Sequence, residues 1–569
     1  MNIKFDEDII FSLKNFESNI SATIEKILNE NIVQRIIKRD YTVWSNSPVE
    51  VSNRLAWLDC PFAMDANVEE VNAFVNEVKG KGYTHSLLLG MGGSSLAPEV
   101  FRRTFGIREG FIDLEVLDST DPDIIVEKAK TLDPLKTLYF VSTKSGGTVE
   151  TLSFAKYFFT FVSDAIGASK KAGDKFVAIT DPGSGLEQTA NDLSFFKTFL
   201  NDPNIGGRYA ALSYVGLAPA VLLGIDLNKL LSRARNMADQ TVLSEITPES
   251  NSPAWLGSVM GSLALKGINK LSLILSSKIE SLGKWIEQLV AESTGKNGIG
   301  ILPVLGEPDM PSDFYRADRT FIYIRLKGNG DKDIFVKHLL NAGKPVIILN
   351  LSDIYDIGAE FFRWEFATAV AGAILKVNPF DQPNVESAKV RAKEMMTQYK
   401  KDGFLSQPAF SSKNYEISII GYQDNDSVEK ELESLFKSDC DYVSIQAYVT
   451  PCESSDKALK KLQKKIFELT GAAVTVGYGP SFLHSTGQLH KGYDGKGVFL
   501  QLSGKINTDV QIPDQPGLWD SSISFGVLRN AQMLGDRQAL IDSGRSVITI
   551  FLENKNTAAG IDYIIENLS

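Results

Sequence analysis

HSLLLGMGGSSLAPE, residues 85–99, decides the fold. Its first half is a short apolar run, and its second half passes through glycine and serine into a segment that suits a helix. Strand, glycine turn and helix in that order form the unit from which parallel sheets are built. Leu87, Leu88 and Leu89 do not alternate with polar residues, so the strand should be covered on both faces. Gly90, Gly92 and Gly93 allow close backbone approach to a ligand, and the N–H groups at the following helix start favour an anion. Gly93 and Ser94 are therefore candidate binding positions.

Working outward, LEVLDS (114–119), KTLYFVS (136–142) and KFVAIT (175–180) repeat the apolar-strand pattern with helical stretches between them. A second set follows in KLSLILS (270–276), RTFIYIRL (319–326) and KPVIILNL (344–351). These patterns predict an α/β protein with two three-layer sandwich domains, at residues 66–250 and 251–400. A helical arm should precede them at 1–65, where Ile20, Ile24, Ile27 and Ile32 recur at near-helical spacing. Residues 401–569 read as an α+β C-terminal domain, with strands at 415–421, 442–449, 473–478, 497–503 and 546–551. The basic run KALKKLQKK (457–465) carries the apolar stripe Leu459, Leu462, Ile466 and Leu469, which marks a solvated amphipathic helix rather than a binding patch.

Composition narrows the function classes. The 569 residues carry 59 Lys and Arg against 70 Asp and Glu, a net charge of −11. That is the wrong sign for a nucleic-acid footprint. Three cysteines make no disulfide framework, no apolar run approaches a membrane span, and the first residues lack a signal-peptide pattern. The expectation is a cytoplasmic protein with no nucleic-acid or membrane partner. Only four histidines are present, His85, His338, His484 and His490, so chemistry needing several histidines is nearly excluded. His484 and His490 lack the neighbours of a zinc site, and no metal is expected.

The glycine loop also invites a dinucleotide reading. GMGGSS, however, has Ser95 where the third glycine of the fingerprint should stand, although Asp118 follows the next strand as a ribose-binding acid would. The second loop, Thr143-Lys144-Ser145-Gly146-Gly147-Thr148, sets three hydroxyls and an ammonium among the free N–H groups of a helix start. That suits a phosphate monoester, while the spacing is not that of a nucleotide-binding P-loop. In EQLVAESTGK (287–296), Gln288 and Glu292 are four apart and share a helix face. Glu292 should lie in the last turn, at the negative end of the helix dipole, where a carboxylate makes a better base, with Gly295 as the stop. Read alone, Glu292 is equally well an ordinary surface glutamate.

Together GMGGSSLAPE, STKSGGTVET, NIGGRYAALS, EQLVAESTGK and NPFDQPNV resemble glucose-6-phosphate isomerase, in the bacterial form also found fused to transaldolase. The resemblance spans about residues 50–400. It implies a pair of sugar-isomerase (SIS) domains and the glycolytic and gluconeogenic interconversion of D-glucose 6-phosphate and D-fructose 6-phosphate through a cis-enediol. No cofactor, a small phosphosugar substrate and a homodimer follow from it, and no transaldolase barrel or Schiff-base lysine is expected. By resemblance Ser94, Thr143, Lys144, Ser145 and Thr148 hold the phosphate, with Thr143 where the family often has Ser. Glu292 is the general base, Arg208 beside Gly207 stabilises the enediolate, and Gln288 contacts the sugar. Gln382 binds the phosphate end and Lys389 assists ring opening; Pro383 near a helix start and the seven-residue spacing put both on one helix face. The family also uses a histidine for ring opening. His484 in FLHSTGQLHKG, with Gln488 four residues on, fits that element, but it stands about 100 residues after FDQ rather than before it. Either the tail delivers it, from this chain or a neighbouring subunit, or the match is accidental; delivery is the expectation. The alternatives are another phosphosugar isomerase, a C2-epimer substrate, a non-catalytic sugar-phosphate-sensing SIS protein, or an NAD enzyme.

Overall fold

Leu87, Leu88 and Leu89 are wholly buried in the strand that organises the first sheet. The structure is a computed structural model and describes residue 5 and residues 7–167, 169–421, 427–428, 430–432 and 440–568. The first sheet contains β2 (His85–Gly90), β3 (Asp113–Leu117), β4 (Thr137–Ser142), β5 (Phe176–Thr180) and β6 (Lys197–Leu200), all parallel, in the order β3-β2-β4-β5-β6. The chain leaves β2 towards β3 and returns on its other side to β4. The order therefore reverses between β2 and β4, whose ends pair Gly90 with Ser142. A crevice beyond the carboxyl ends of the strands at such a reversal is where open α/β sheets bind ligands. The GMGGSS and TKSGGT loops flank it.

The second sheet has the order β1-β10-β9-β7-β8, with β7 (Lys270–Leu275), β8 (Leu302–Val304), β9 (Arg319–Leu326) and β10 (Val346–Leu351) parallel. Its fifth strand, β1 (Ile9–Ser12), lies antiparallel on β10, with Ile9 opposite Leu349. The arm is thus not wholly helical. Its four-residue strand is too short to show a period of two, and the pairing partner more than 300 residues away decides its conformation. The helix Ile357–Leu375 is buried on almost every side and packs against Ser252–Ala264 and Leu227–Gln240. This is the parallel α/β layering expected for the two sandwiches.

The third sheet departs from the α+β expectation in one respect. Its order is β11-β12-β18-β15-β13-β14, and four of its strands run parallel: β13 (Tyr442–Tyr448), β14 (Ala473–Tyr478), β15 (Gly497–Ser503) and β18 (Ser546–Leu552). Helices cover both faces. Leu459, Leu462 and Ile466 of Glu453–Thr470 pack with Ile561 and Ile564 on one side, and Phe525–Asp542 lies on the other. At one edge β12 (Ile417–Ile420) and β11 (Ser412–Lys413) add antiparallel pairs. Leu469, expected on the apolar stripe, is 40 % exposed in the last turn of its helix.

Candidate active site

Two glycines bring the site's first two loops together. Residues Gly92–Ser94 form a short turn after β2, and Gly207–Tyr209 form another after β6. A Cβ on Gly93 would stand 2.2 Å from the carbonyl oxygen of Gly207, so here backbone packs directly on backbone. Gly92 has φ +54° and faces His484, whose carbonyl oxygen would lie 2.7 Å from an added Cβ.

Beside this contact lies the helix Leu282–Thr294, whose inner face is buried. Glu292 Oε1 is 2.9 Å from Arg208 Nη1, and both side chains are nearly enclosed. Arg208 donates to Ser293 Oγ from Nε (2.9 Å), to Gln382 Oε1 from Nη1 (2.8 Å), and to the Pro379 and Asp381 carbonyls from Nη2 (2.7 and 2.8 Å). A guanidinium has five N–H groups. The hydrogen left over from those four bonds is on Nη1, the nitrogen that faces Glu292. Gln288 donates from Nε2 to Glu292 Oε2 (3.1 Å) and to the His484 carbonyl (2.6 Å).

His484 reaches this cluster from the tail of the same chain. Its ring Nε2 is 2.8 Å from Glu150 Oε1, which also accepts from Gln532 Nε2 at 2.6 Å. Burial pushes the Glu150 carboxyl up, but the charge and hydrogen bond of His484, with a smaller contribution from Lys389, bring it below the usual glutamate range. Gln488, four residues on, ties the segment down by donating to the Gly295 carbonyl (2.9 Å) and accepting from Asn384 N (2.8 Å).

The remaining expected residues lie around this centre. The Thr143 and Thr148 hydroxyls share a hydrogen bond of 3.0 Å, and Ser145 Oγ accepts from Gly147 N at 3.3 Å in an exposed turn before the helix Val149–Ile166. Lys144 does not point into its own loop: its ammonium pairs with Asp181 and donates to the Pro203 carbonyl at 2.6 Å. Ser94 is half-buried in the turn, its N–H on the Met91 carbonyl at 3.1 Å. Lys389 is half-exposed on Glu386–Asp402, 3.9 Å from Glu386. Because that helix starts at Glu386, Gln382 is not on it, contrary to the shared face expected; residues before the proline-initiated turn have no helical partners, and Arg208 fixes Gln382 instead. Gly295 ends its helix as expected, but with φ −75° rather than left-handed geometry. It is glycine because Leu489 Cα would stand 2.4 Å from an added Cβ.

Sequence reasoning missed two charged residues. Glu150 stood inside a quoted motif, where an acid in a first helical turn reads as a dipole complement. Lys296 ends the ESTGK stretch and is 3 % exposed. It donates to the Asn378 and Asp381 carbonyls and pairs with Asp381 at 2.8 Å, clasping the turn that Arg208 also holds. Burial, with Arg208 nearby, pushes its ammonium down to about 7. Asp118 is not free for a ribose, since it accepts from Ser481 Oγ at 2.8 Å. Among the described residues no cluster of His, Cys, Asp and Glu suits a metal ion, and no helix is long and apolar enough to cross a membrane.

Residues 63–300 match the family described as phosphoglucose isomerase. A probable glucose-6-phosphate isomerase of Methanococcus maripaludis is 29 % identical over 361 residues, 57 % of this chain and 81 % of that protein. Glucose-6-phosphate isomerases of Carboxydothermus hydrogenoformans and Thermus thermophilus are each 27 % identical, covering 59 % and 61 % of this chain and 83 % and 91 % of theirs. Among solved structures, a hypothetical protein of Thermus thermophilus superposes with TM-score 0.59 at 24 % identity, over 68 % of this chain and 99 % of that one. A glucose-6-phosphate isomerase from Chlamydia trachomatis gives TM-score 0.59 at 16 % identity, over 69 % and 89 %. Both establish likeness of fold.

Proposed function

We propose that this chain, whose residues 63–300 match the phosphoglucose isomerase family, interconverts D-glucose 6-phosphate and D-fructose 6-phosphate. The observation that carries the reading is the enclosed pair of Glu292 and Arg208, 2.9 Å apart where two glycine turns meet. An aldose and its ketose differ by one proton moved between C1 and C2 and one moved between the two oxygens. The reaction needs a base that takes the carbon proton and returns it one carbon away, and a fixed cation while the enediol oxygen carries charge. Glu292 is the base. Arg208 is the cation, already held by its hydrogen bonds to the protein, so that no reorganisation is required as the charge forms.

The other residues divide the remaining work. Gln382, with its carbonyl on Arg208, offers its amide N–H groups to the substrate, and Gln288 does so beside Glu292. Opening the sugar ring moves a proton from the anomeric hydroxyl to the ring oxygen. His484 performs that transfer, oriented by the ionised Glu150 and assisted by Lys389. Gly93, Ser94, Thr143, Ser145 and Thr148 cradle the phosphate at the reversal between β2 and β4, and Lys144 joins them by swinging from Asp181.

The test couples product formation from fructose 6-phosphate to glucose-6-phosphate dehydrogenase. Glu292→Gln is expected to lose roughly 10²-fold or more in turnover, the low end of what a positioned acid–base group contributes. Unchanged turnover refutes the assignment. His484→Ala is expected to slow reaction of the ring-closed sugar more than that of an open-chain substrate.

A further inference from the structure

We infer that residues 401–569 complete the active site of their own chain, as the fixed carrier of His484, with the crevice at their own strand reversal given over to docking. The third sheet has a reversal of strand order, between β13 and β15. The crevice beyond the carboxyl ends of those strands is where such a module would bind a ligand. Here two carboxylates from the first sheet's β3 loop fill it. Asp121 accepts from Thr450 Oγ1 at 3.0 Å and from Arg529 Nη1 at 2.7 Å, and Arg529 also donates to the Gly504 carbonyl at 2.8 Å. Asp123 accepts from Asn507 N and Thr508 N at 3.2 and 3.1 Å. Asp121 and Arg529 are 1 % and 2 % exposed. An ion pair so buried leaves a stranded charge if either side withdraws, so undocking is strongly disfavoured.

The same carboxyl edge presents His484. The loop after β14 leads through Ser481, which donates to Asp118 at the end of β3, into His484. From there the segment is fixed at both ends by Glu150, Gln288 and Gln488. Its backbone fits against Gly92 on one side and Gly295 on the other with no room for a Cβ. Charge and shape both fit the tail to its own chain's first two modules, and each chain carries an independent site.

The experiment rests on the isomerase reading and separates the two. Chains carrying Glu292→Gln and chains carrying His484→Ala are co-expressed with different affinity tags. Species containing both are purified in tandem and assayed with fructose 6-phosphate against wild-type protein. An inactive wild type refutes the isomerase reading, and the inference is then judged by Asp118→Cys combined with Ser481→Cys, where a disulfide within one chain supports it and a disulfide-linked dimer overturns it. With an active wild type, the mixed species is expected to be no more active than the two variants alone. If His484 instead crosses between chains, a symmetric mixed dimer has one site with both native side chains, and recovery to about half of wild-type activity overturns the proposal. If no mixed species can be isolated, the chain works alone, and wild-type activity per chain should stay constant on dilution. A per-chain rate that falls on dilution overturns it.

Discussion

Gly93→Ala tests whether the distance between the two glycine turns sets the geometry of catalysis. An added Cβ would lie 2.2 Å from the Gly207 oxygen, 2.3 Å from its carbonyl carbon and 2.8 Å from Arg208 N. All three are backbone atoms, so no side chain can rotate aside. Ordinary contact begins at 3.4 Å, and a close-packed interior has little slack, so the turns must part by about 1 Å. Arg208 moves with its turn while Glu292 stays on its helix. A misplacement of about 1 Å at a reacting centre costs on the order of 10²-fold in rate, and overpacking of this kind destabilises by about 1–3 kcal/mol. The reverse substitution is the control, because a Cβ on Gly207 meets nothing within 4 Å. Turnover is measured by the dehydrogenase-coupled assay and folding by thermal denaturation. We expect Gly93→Ala to lose about 10²-fold in kcat while remaining folded, and Gly207→Ala to stay within a few fold of wild type. Equal damage from both, or near-normal kcat in Gly93→Ala, would refute the argument.

Glu150→Gln keeps the shape of the side chain and removes its charge. A hydrogen bond to a charged group contributes about 1.5–3 kcal/mol, so turnover of ring-closed substrate should fall about 10- to 100-fold, with less effect on an open-chain sugar; equal loss on both would break the link to His484. Lys296→Gln should loosen the Gln382 turn and raise KM by about tenfold or more with a smaller change in kcat, because it removes charge-assisted bonds to that turn; a change confined to kcat would exclude the positioning role. Glu287 faces the space lined by Ser444, Thr475, Gly477, Phe482 and Thr486, and burial raises its carboxyl to about 7, offset only in part by Lys284. The folded chain therefore holds this proton more tightly than the unfolded one, and the stabilisation is complete below about pH 4.3 and lost as pH rises through 7. Glu287→Gln should flatten the dependence of the urea midpoint between pH 4.5 and 7 and raise the midpoint at pH 8 relative to wild type; parallel pH profiles would contradict this.

What could be read in the sequence follows from range. RTFIYIRL, AVTVGY and GVFLQLS are strands with the bounds their apolar runs indicate, because a strand covered on both faces writes its burial into consecutive residues. The glycine turns were visible because close backbone approach demands glycine, whereas Glu292 and Arg208 were singled out by the family resemblance, a lone glutamate or arginine being no signal by itself. Ile9–Ser12, the β13–β15 crevice and the Glu150–His484 contact were not visible, since each depends on a partner hundreds of residues away. Lys296 and Glu150 look like surface charges until their burial is known. Gly295 shows the opposite case, a residue correctly marked as a helix end whose reason for being glycine lies in Leu489.

The reach of the tail also sets an order of events in the cell. Glu150 waits for a histidine made 334 residues later, and Asp121 waits 408 residues for Arg529. At about 5–20 residues per second of synthesis, the first sheet stands on the ribosome for roughly 20–80 s before its partners emerge. During that interval Asp118, Asp121 and Asp123 face solvent at the edge of a folded module, and charge at an unpaired edge keeps it from pairing with another nascent chain. The acidic β3 loop thus guards an unfinished chain before it anchors the finished one, and on the proposed reading catalysis waits for the last module to dock.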